Sequence, residues 1–351
     1  MKLSNKKIVV ALSGGIDSAV AAAFLVEQGW QVKGVHLRLA DKQEDTTAIT
    51  SLCQFLGIEC LQVDFRREFS DSIIRYFAAA YRAGKTPNPC VRCNEQIKFG
   101  RLLQVIHSWG YSYLATGHYA RIEIDSEGAT ALLRGLDSRK EQSYFLHRLT
   151  LGSLASIIFP LGRLTKSQVK EKSVALGLDL YLPPQESQEL CFVDGNYADF
   201  LYGRGEEGLN CPGPIVTRQG NVLGRHRGLE HYTVGQRQGL GVSAPAPYYV
   251  LEMVPELNQV VVGYKEELLA AAVEVEDINW LIPAPTEPLR AEVRIRYRHP
   301  GVGCLISPSN DTKVRVSLDH PQTAVTPGQA AVFYHEERVL GGGWIVRGIA
   351  P

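Results

Sequence analysis

The turn SGGIDS at residues 13–18 joins an apolar run, KIVVAL at residues 7–12, to an alanine-rich segment. A strand that leads directly into a helix predicts a β–α unit. Paired glycines let the backbone turn tightly and expose its N–H groups, and the helix N-terminus adds positive potential, so a phosphate or pyrophosphate fits there. Ser13 and Ser18 can donate hydrogen bonds, and Asp17 can help hold Mg²⁺. Gly14-Gly15 alone would equally suit an ordinary β–α turn.

The pattern along the chain predicts an α/β protein with a second, β-rich part. Further strands are predicted at residues 31–39, 60–65 and 113–119, with helical segments between them, one of which ends at Gly29. Alternation of strands and helices indicates a parallel sheet covered on both faces. After residue 203 the Gly- and Pro-rich segment YGRGEEGLNCPGP marks a boundary, and short alternating strands follow it.

The composition indicates a globular enzyme and excludes a membrane-spanning protein. Hydrophobic residues make up 45% and charged residues 21%, as in globular enzymes. No run reaches the roughly 18 apolar residues of a membrane span, and the first residues read as a strand and not a secretory signal, so we expect a cytoplasmic protein with no membrane partner. The formal charge is zero, so any nucleic-acid surface must be local.

Two cysteines three residues apart, Cys90 and Cys93, lie in PNPCVRCN. Zinc is disfavoured because a second pair is missing from the sequence. Cys93 directly precedes a predicted helix, with Arg92 beside it and Lys98 within reach, and all three features predict a thiolate.

The other five cysteines lie outside this closely spaced pair. Cys191 follows two prolines in PPQESQELCFV, where a mobile loop can carry sulfur, although LCFV alone would also suit a core strand. The remaining thiols are expected to be packing residues, with Cys211 also a candidate redox bystander; they are Cys53, Cys60, Cys211 and Cys304.

The loop at residues 13–18 lacks the Lys of a G-x4-G-K-[ST] loop and the third Gly of a dinucleotide fingerprint. It resembles the S-G-G-x-D-S loop of enzymes that split ATP into AMP and pyrophosphate. Several longer segments narrow this resemblance to the tRNA 2-thiouridylase family over nearly the whole chain: GKTPNPCVRCNEQIKFG, ATGHYAR, KEQSYFL, FPLGRLTKSQVK, ESQELCFV, HYTVGQRQGLG and TPGQAAVFY. No role is assigned to the segment 231–241 within this set.

The resemblance implies an adenine nucleotide hydrolase-like catalytic domain with a pyrophosphate loop at residues 1–203, a central β-rich tRNA-binding domain at 204–272 and a C-terminal β-barrel at 273–351. It implies that ATP adenylates O2 of the wobble uridine of a tRNA and that a persulfide sulfur then attacks C2. Cys93 corresponds to the nucleophile and Cys191 to the persulfide carrier. The implied ATP-binding residues are Ala11, Leu12, Ser13, Gly14, Gly15, Ile16, Asp17, Ser18, Leu37 and Gly117.

Cys90 departs from the family pattern, in which many members carry Asp at this position as the proposed general acid or base. A thiol has a higher pKa, about 8.5 against about 3.9, and hydrogen-bonds poorly. In family members with C-x2-C, the resemblance implies that Cys90, Cys93 and Cys191 ligate a [4Fe-4S] cluster that delivers sulfide. The cluster and a persulfide relay through Cys93 and Cys191 both stay open, with the cluster narrowly preferred.

A row of arginines predicts a phosphate-binding strand face, because Arg294, Arg296 and Arg298 alternate along LRAEVRIRYRHP; a solvated β face is the alternative. The resemblance favours Arg296 and Tyr297 as tRNA contacts. It further implies contacts with the tRNA or its target base at Asn88, Pro89, Cys90, His118, Lys140, Glu141, Gln142 and Gln329. Glu141 replaces an Asp that is common at its position.

The implied partners are tRNAs of the Lys, Glu and Gln anticodon type and a sulfur donor such as a cysteine desulfurase or a sulfur-relay protein. Two other classes of protein would share the loop at residues 13–18. A tRNA lysidine synthetase or amide ligase would keep the loop and need no cysteine, and a non-catalytic RNA-binding module would keep the loop as a vestige.

Overall fold

The computed structural model describes residues 6–41, 46–124, 128–181, 190–193, 195–204, 208–243, 245–310 and 312–351. The chain divides into two compact units, each built from separate segments. Unit 1 comprises residues 1–73, 90–192 and 337–339, and unit 2 comprises residues 74–89, 193–336 and 340–351. Among the described residues, no helix combines the length and the apolar character that crossing a membrane requires.

Unit 1 contains a parallel sheet of five strands in the order β3-β2-β1-β4-β7. The strands are β1 (Lys7–Leu12), β2 (Gln31–Arg38), β3 (Glu59–Asp64), β4 (Tyr113–Ala115) and β7 (Ile157–Ile158). The predicted strands at 7–12 and 31–39 are confirmed, and the one at 113–119 is shorter than expected. The strand order reverses at β1, so its carboxyl end and that of β4 form the crevice where α/β sheets bind ligands.

A hairpin that the sequence reading missed adds β5 (Ala120–Ile124) and β6 (Thr130–Arg134), and Leu133 of β6 pairs with Arg338.

Helices cover both faces of the parallel sheet. The helix α1 (Ile16–Glu27) is alanine-rich and buried on most sides because its small side chains allow close packing on the sheet. It stops at Gly29, which has a φ of +77°, as predicted. The remaining helical segments before residue 204 are α2 (Thr47–Phe55), α3 (Arg66–Phe69), α4 (Arg75–Arg82), α5 (Pro89–Cys93), α6 (Leu102–Ser108), α7 (Leu151–Leu154), α8 (Lys166–Ala175) and α9 (Tyr197–Gly203), with π-helical turns at Ser70–Ile74 and Asn94–Arg101.

Unit 2 contains two β structures. One is a sheet in the order β10-β11-β8-β9, formed by β8 (Gly213–Thr217), β9 (Val222–His226), β10 (Tyr249–Val254) and β11 (Gln259–Gly263). The other is a six-stranded barrel in the order β12-β15-β14-β13-β16-β17, closed by pairing of β17 with β12. Its strands are β12 (Ala270–Trp280), β13 (Leu289–Arg294), β14 (Val302–Asn310), β15 (Lys313–Gln322), β16 (Ala330–His335) and β17 (Arg338–Ile349).

The predicted fold class, a parallel-sheet α/β domain followed by a small β domain and a β-barrel, is confirmed. The barrel core is made of the inward residues of alternating strands, among them Val275, Val293, Val316 and Phe333. The exact boundaries after residues 203 and 272 stay a prediction.

Candidate functional site

The loop at residues 13–18 lies at the carboxyl end of β1, where its backbone is held by its own side chains. The Ser13 N–H donates to Ser18 Oγ at 3.2 Å, and Ser18 Oγ donates to the Gly15 carbonyl at 2.9 Å. Gly14 has a φ of +77°, which a glycine adopts without strain. The loop is therefore pre-shaped before any ligand binds, with the N-terminus of α1 directly behind it.

Gly117 packs against this loop from the carboxyl end of β4. A Cβ atom on Gly117 would lie 2.8 Å from the Asp17 carbonyl carbon and 2.9 Å from the Ser18 nitrogen. Such distances are too short for any side chain, so only glycine fits. The predicted ATP residues 11–18 and Gly117 are thus brought together. Leu37, half-buried near the end of β2, lies on the neighbouring strand.

Asp17 does not present a free carboxylate. Its oxygens accept hydrogen bonds from Lys166 Nζ at 2.7 and 2.8 Å and from the Tyr119 hydroxyl at 2.7 Å. Among the described residues, no group of three or more His, Cys, Asp or Glu side chains is arranged to hold a metal ion. In this structure the carboxylate that is expected to help hold Mg²⁺ is therefore paired with Lys166 and Tyr119.

Lys166 is a site residue that the sequence reading missed, and a capping box explains its position. Thr165 and Gln168 cap the start of α8 reciprocally, the Thr165 N–H donating to Gln168 Oε1 at 2.9 Å. Asp137 also accepts from the Lys166 N–H at 2.9 Å. The quoted segment FPLGRLTKSQVK contains this capping pattern, which was the available signal.

The thiols Cys90 and Cys93 lie in a helical run that begins at Pro89 and includes the π-helical turns at Asn94–Arg101. The expectation that Cys93 sits at a helix N-terminus is wrong, because the helix starts four residues earlier. Arg92 does not favour a Cys93 thiolate either, since it pairs with Glu95 at 3.1 Å. Arg148 also pairs with Glu95, at 2.7 Å.

Burial decides the protonation of both thiols. It raises the pKa of Cys93 to about 12 and that of Cys90 to about 11, although the positive charge of Lys98 acts in the opposite direction. Cys93 is only 7% exposed. The predicted thiolate is therefore wrong for this state of the protein, in which both groups are thiols.

Lys98 lies within the π-helical turns at Asn94–Arg101, and its charge acts on both Cys90 and Cys93. Gly100 permits the wide turn, since a Cβ there would lie 2.7 Å from the Glu95 carbonyl oxygen. The Lys98 charge also acts on His118, whose pKa burial holds well below its ordinary value, so the imidazole is neutral.

His118 lies next to the residue that packs on the loop. It follows Gly117 directly, its Nδ1 lies 2.7 Å from Thr116 Oγ1, and its ring packs near Phe99 and Phe159. The same short segment, 116–118, therefore contacts the loop at Gly117 and packs against Phe99 and Phe159 at His118.

Cys191 is exposed, and its charge raises the pKa of both Cys90 and Cys93, so the three sulfurs are electrostatically coupled. They do not fit the expected iron–sulfur cluster. Among the described residues they do not form a group of three or more side chains arranged to hold a metal. The cluster expectation is therefore not supported, and no step is derived through it.

Several predicted tRNA contacts have internal partners. Gln142 Oε1 accepts the Tyr119 N–H at 3.0 Å, and Glu141, only 2% exposed, accepts the Ser143 N–H. Lys140 is half-buried, its N–H donating to the Asp137 carbonyl at 3.0 Å.

The predicted contacts in unit 2 include Gln329, whose Nε2 donates to the carbonyls of Thr86 and Pro87 at 3.1 and 3.2 Å. These two hydrogen bonds hold the backbone just before Asn88 and Pro89. Asn88 is 8% exposed, and Pro89 is buried.

The predicted arginine row is wrong because β13 ends at Arg294. The Arg294 guanidinium lies 5.3 Å from the centre of the Tyr334 ring, in a cation–π contact. Arg296 and Arg298 follow in a bend and a turn, where both are exposed, and Tyr297 between them is half-buried. Arg296 and Tyr297 as tRNA contacts stay predictions.

Fold and site define a class of α/β proteins with a glycine loop at the first β–α turn of a parallel sheet, followed by two β structures. Comparison with known families agrees. Residues 6–195 match the family described as tRNA methyl transferase HUP domain, residues 199–264 the tRNA methyl transferase PRC-barrel domain, and residues 270–345 the Aminomethyltransferase beta-barrel domain.

Curated relatives are similar over nearly the full length. The chain is 44% identical to tRNA-specific 2-thiouridylase MnmA of Geobacter metallireducens, with 97% of each chain covered. It is 44% identical to the protein of that name from Syntrophotalea carbinolica, covering 98% of this chain and 100% of the relative. For Synechococcus sp. strain JA-3-3Ab the identity is 45%, over 98% and 95%. The chain belongs to the tRNA-specific 2-thiouridylase family, which confirms the resemblance.

Proposed function

We propose that this protein is a tRNA-uridine 2-sulfurtransferase, which uses ATP to activate the C2 oxygen of a wobble uridine and replaces that oxygen with sulfur. One observation carries the proposal: Gly117 packs against the loop 13–18, and the charge of Lys98 acts both on the next residue, His118, and on the thiols Cys90 and Cys93. The names of the relatives support the same reaction.

In the activation step, the exposed N–H groups of the loop 13–18 and the N-terminus of α1 bind the polyphosphate of ATP. Uridine O2 attacks the α-phosphorus, and pyrophosphate leaves. The neutral His118 beside the loop is able to hydrogen-bond the base or the leaving group without adding charge. ATP is a substrate here, and no step is assigned to Mg²⁺.

In the sulfur step, Cys191 carries the persulfide because it is the exposed thiol of the cluster and a donor protein can reach it. The terminal persulfide sulfur attacks C2, and AMP leaves. The Cys93 thiolate then attacks the Cys191 sulfur, which releases 2-thiouridine and leaves a Cys93–Cys191 disulfide. A low-molecular-weight thiol reduces that disulfide for the next turnover.

Cys93 must lose its proton for this step. Burial opposes the Cys93 thiolate, whereas the positive charge of Lys98 favours it. Cys93 therefore has to give its proton to a neighbouring base once the anionic tRNA is bound and Cys191 carries the persulfide. Cys90 has no acid role in this scheme, because the pKa of its thiol is raised to about 11.

The test is a reconstituted reaction with ATP, a tRNA that has uridine at the wobble position and a persulfide donor made of a cysteine desulfurase and cysteine. Cys191→Ser and Cys93→Ser are expected to lose 2-thiouridine, measured by mass spectrometry of nucleosides, while tRNA-dependent pyrophosphate release in a single turnover persists. Cys211→Ser, at an exposed thiol, is the matched control and should thiolate normally.

Full thiolation by Cys191→Ser would contradict the sulfur step. Formation of an amine-containing product in place of 2-thiouridine would favour a lysidine synthetase or amide ligase. Absence of tRNA-dependent pyrophosphate release in the wild type would favour the non-catalytic RNA-binding class.

A further inference from the structure

Two thiols outside the site described above meet between α2 and β3. Cys53 lies on α2, and Cys60 lies on β3 in parallel register with Gly34 of β2. Both sulfurs lie over Gly34: a Cβ there would be 3.3 Å from Cys53 Sγ and 3.6 Å from Cys60 Sγ. Leu12 Cδ1 lies nearer still, at 2.8 Å from that position, and Cys60 Sγ also lies 4.0 Å from the Leu61 carbonyl oxygen. The missing side chain of Gly34 thus leaves space that Leu12 and the two sulfurs share.

The two thiols differ in access. Cys60 is half-buried, whereas Cys53 is only 2% exposed. A peroxide arriving from solvent therefore meets Cys60 first, with the Cys53 sulfur next to it over Gly34. Redox-sensitive cysteines typically combine an accessible thiol with a neighbouring resolving thiol, which is the arrangement here.

Electrostatics supports the same assignment of roles. Interaction with the Cys53 thiol, together with the charge of His36, lowers the pKa of Cys60 to about 7, and the pKa of Cys53 is raised. Cys60 is accordingly the more acidic thiol of the pair. The nearby His36 is held by a 3.0 Å hydrogen bond between its Nδ1 and the Leu12 carbonyl.

We propose that Cys53 and Cys60 are a redox-active dithiol, in which hydrogen peroxide oxidises Cys60 and Cys53 resolves it as an intramolecular disulfide. The Cys60 thiolate attacks one peroxide oxygen, giving a sulfenic acid and hydroxide. The Cys53 sulfur then attacks the Cys60 sulfur, and water leaves. In sum, two thiols and one peroxide give one disulfide and two waters.

The position of the pair connects it to the loop 13–18. Cys53 belongs to the same apolar cluster as Ile49 and Leu12, and Ile49 Cδ1 lies 3.7 Å from where a Cβ on Gly14 would be. The disulfide would therefore fix α2 against β3 within the core that supports this loop.

The test is a peroxide titration of the reduced full-length chain, followed by non-reducing peptide mapping by mass spectrometry. We expect a cross-linked peptide pair containing Cys53 and Cys60, with the mass reduced by two hydrogen atoms, to appear stoichiometrically as these two thiols are lost. Cys53→Ser should leave a Cys60 sulfenic acid that dimedone traps. Cys60→Ser should leave Cys53 reduced. Cys211→Ser is the matched control and should keep the cross-link.

The proposal is overturned if Cys53 and Cys60 both stay reduced at peroxide doses that oxidise Cys191, or if Cys60 pairs with a different cysteine. The wild-type map decides this even if a variant fails to fold. The measurement uses neither ATP nor tRNA, so its outcome is independent of the proposed thiolation reaction.

Discussion

Replacing Gly117 by alanine tests whether the end of β4 shapes the loop that receives ATP. The new methyl group would lie 2.8 Å from the Asp17 carbonyl carbon, 2.9 Å from the Ser18 nitrogen and 3.0 Å from the Asp17 oxygen. Unstrained carbon contacts begin near about 3.5 Å, so the loop has to retreat by about 0.5–0.7 Å. All three atoms are backbone, so no side chain can rotate away.

The expected loss follows from the cost of overpacking, which is about 1–3 kcal/mol. The chain relieves this strain by moving the loop out of its phosphate-binding shape. At about 1.4 kcal/mol per factor of ten, the dissociation constant for ATP should rise roughly 5- to 150-fold.

Isothermal titration calorimetry with ATP measures that constant, and urea unfolding checks that the variant is folded. The matched control is Gly152→Ala, because no atom lies within 4 Å of a Cβ at that position. A folded Gly117→Ala protein that binds ATP within twofold of the wild type would refute the reasoning. An equal loss in the control would do the same.

Four further outcomes are expected. Lys166→Met leaves the Asp17 carboxylate without its ammonium partner, which should lower the free energy of unfolding in urea by about 1–2 kcal/mol, and adding Asp17→Asn should restore part of it. Because the pKa of Cys93 is raised to about 12, its alkylation by iodoacetamide should accelerate about tenfold per pH unit between pH 8 and 10; a plateau below pH 9 would contradict the burial argument. Gln329→Ala removes two hydrogen bonds to backbone carbonyls and should cost about 1–2 kcal/mol in the same urea assay; an unchanged midpoint would show that they add nothing. Protein purified without oxygen should lack stoichiometric iron, and visible cluster absorption would reverse the conclusion drawn from the thiols.

The sequence predicts best those elements whose signal is local. KIVVAL forms β1 over the predicted residues, because an uninterrupted apolar run suits a strand buried on both faces. Gly29 ends α1 because only a glycine takes a positive φ there at no cost. The loop 13–18 combines both signals, so its position at the crevice was predictable.

Features that depend on distant partners were not predictable. Asp17 meets Lys166 across 149 positions of sequence, and the chain pattern gives no sign of that pair. The alternation of arginines suggested a longer strand, but β13 ends at Arg294, where the side chain instead packs on Tyr334. The thiolate expected at Cys93 failed because burial depends on the tertiary structure and outweighs the nearby positive charge.

The segments of unit 1 have a consequence for the order in which the chain folds during synthesis. The strand β6, already paired with β5, receives its second partner from residues 337–339, the Arg134 N–H donating to the Glu337 carbonyl at 2.8 Å. Residue 337 is made 145 positions after residue 192, the previous residue of this unit. At about 5–20 residues per second, the ribosome needs roughly 7–29 s to cover that distance. The loop and the thiols thus emerge early, in a unit whose last pairing waits for a segment that is made 145 residues later.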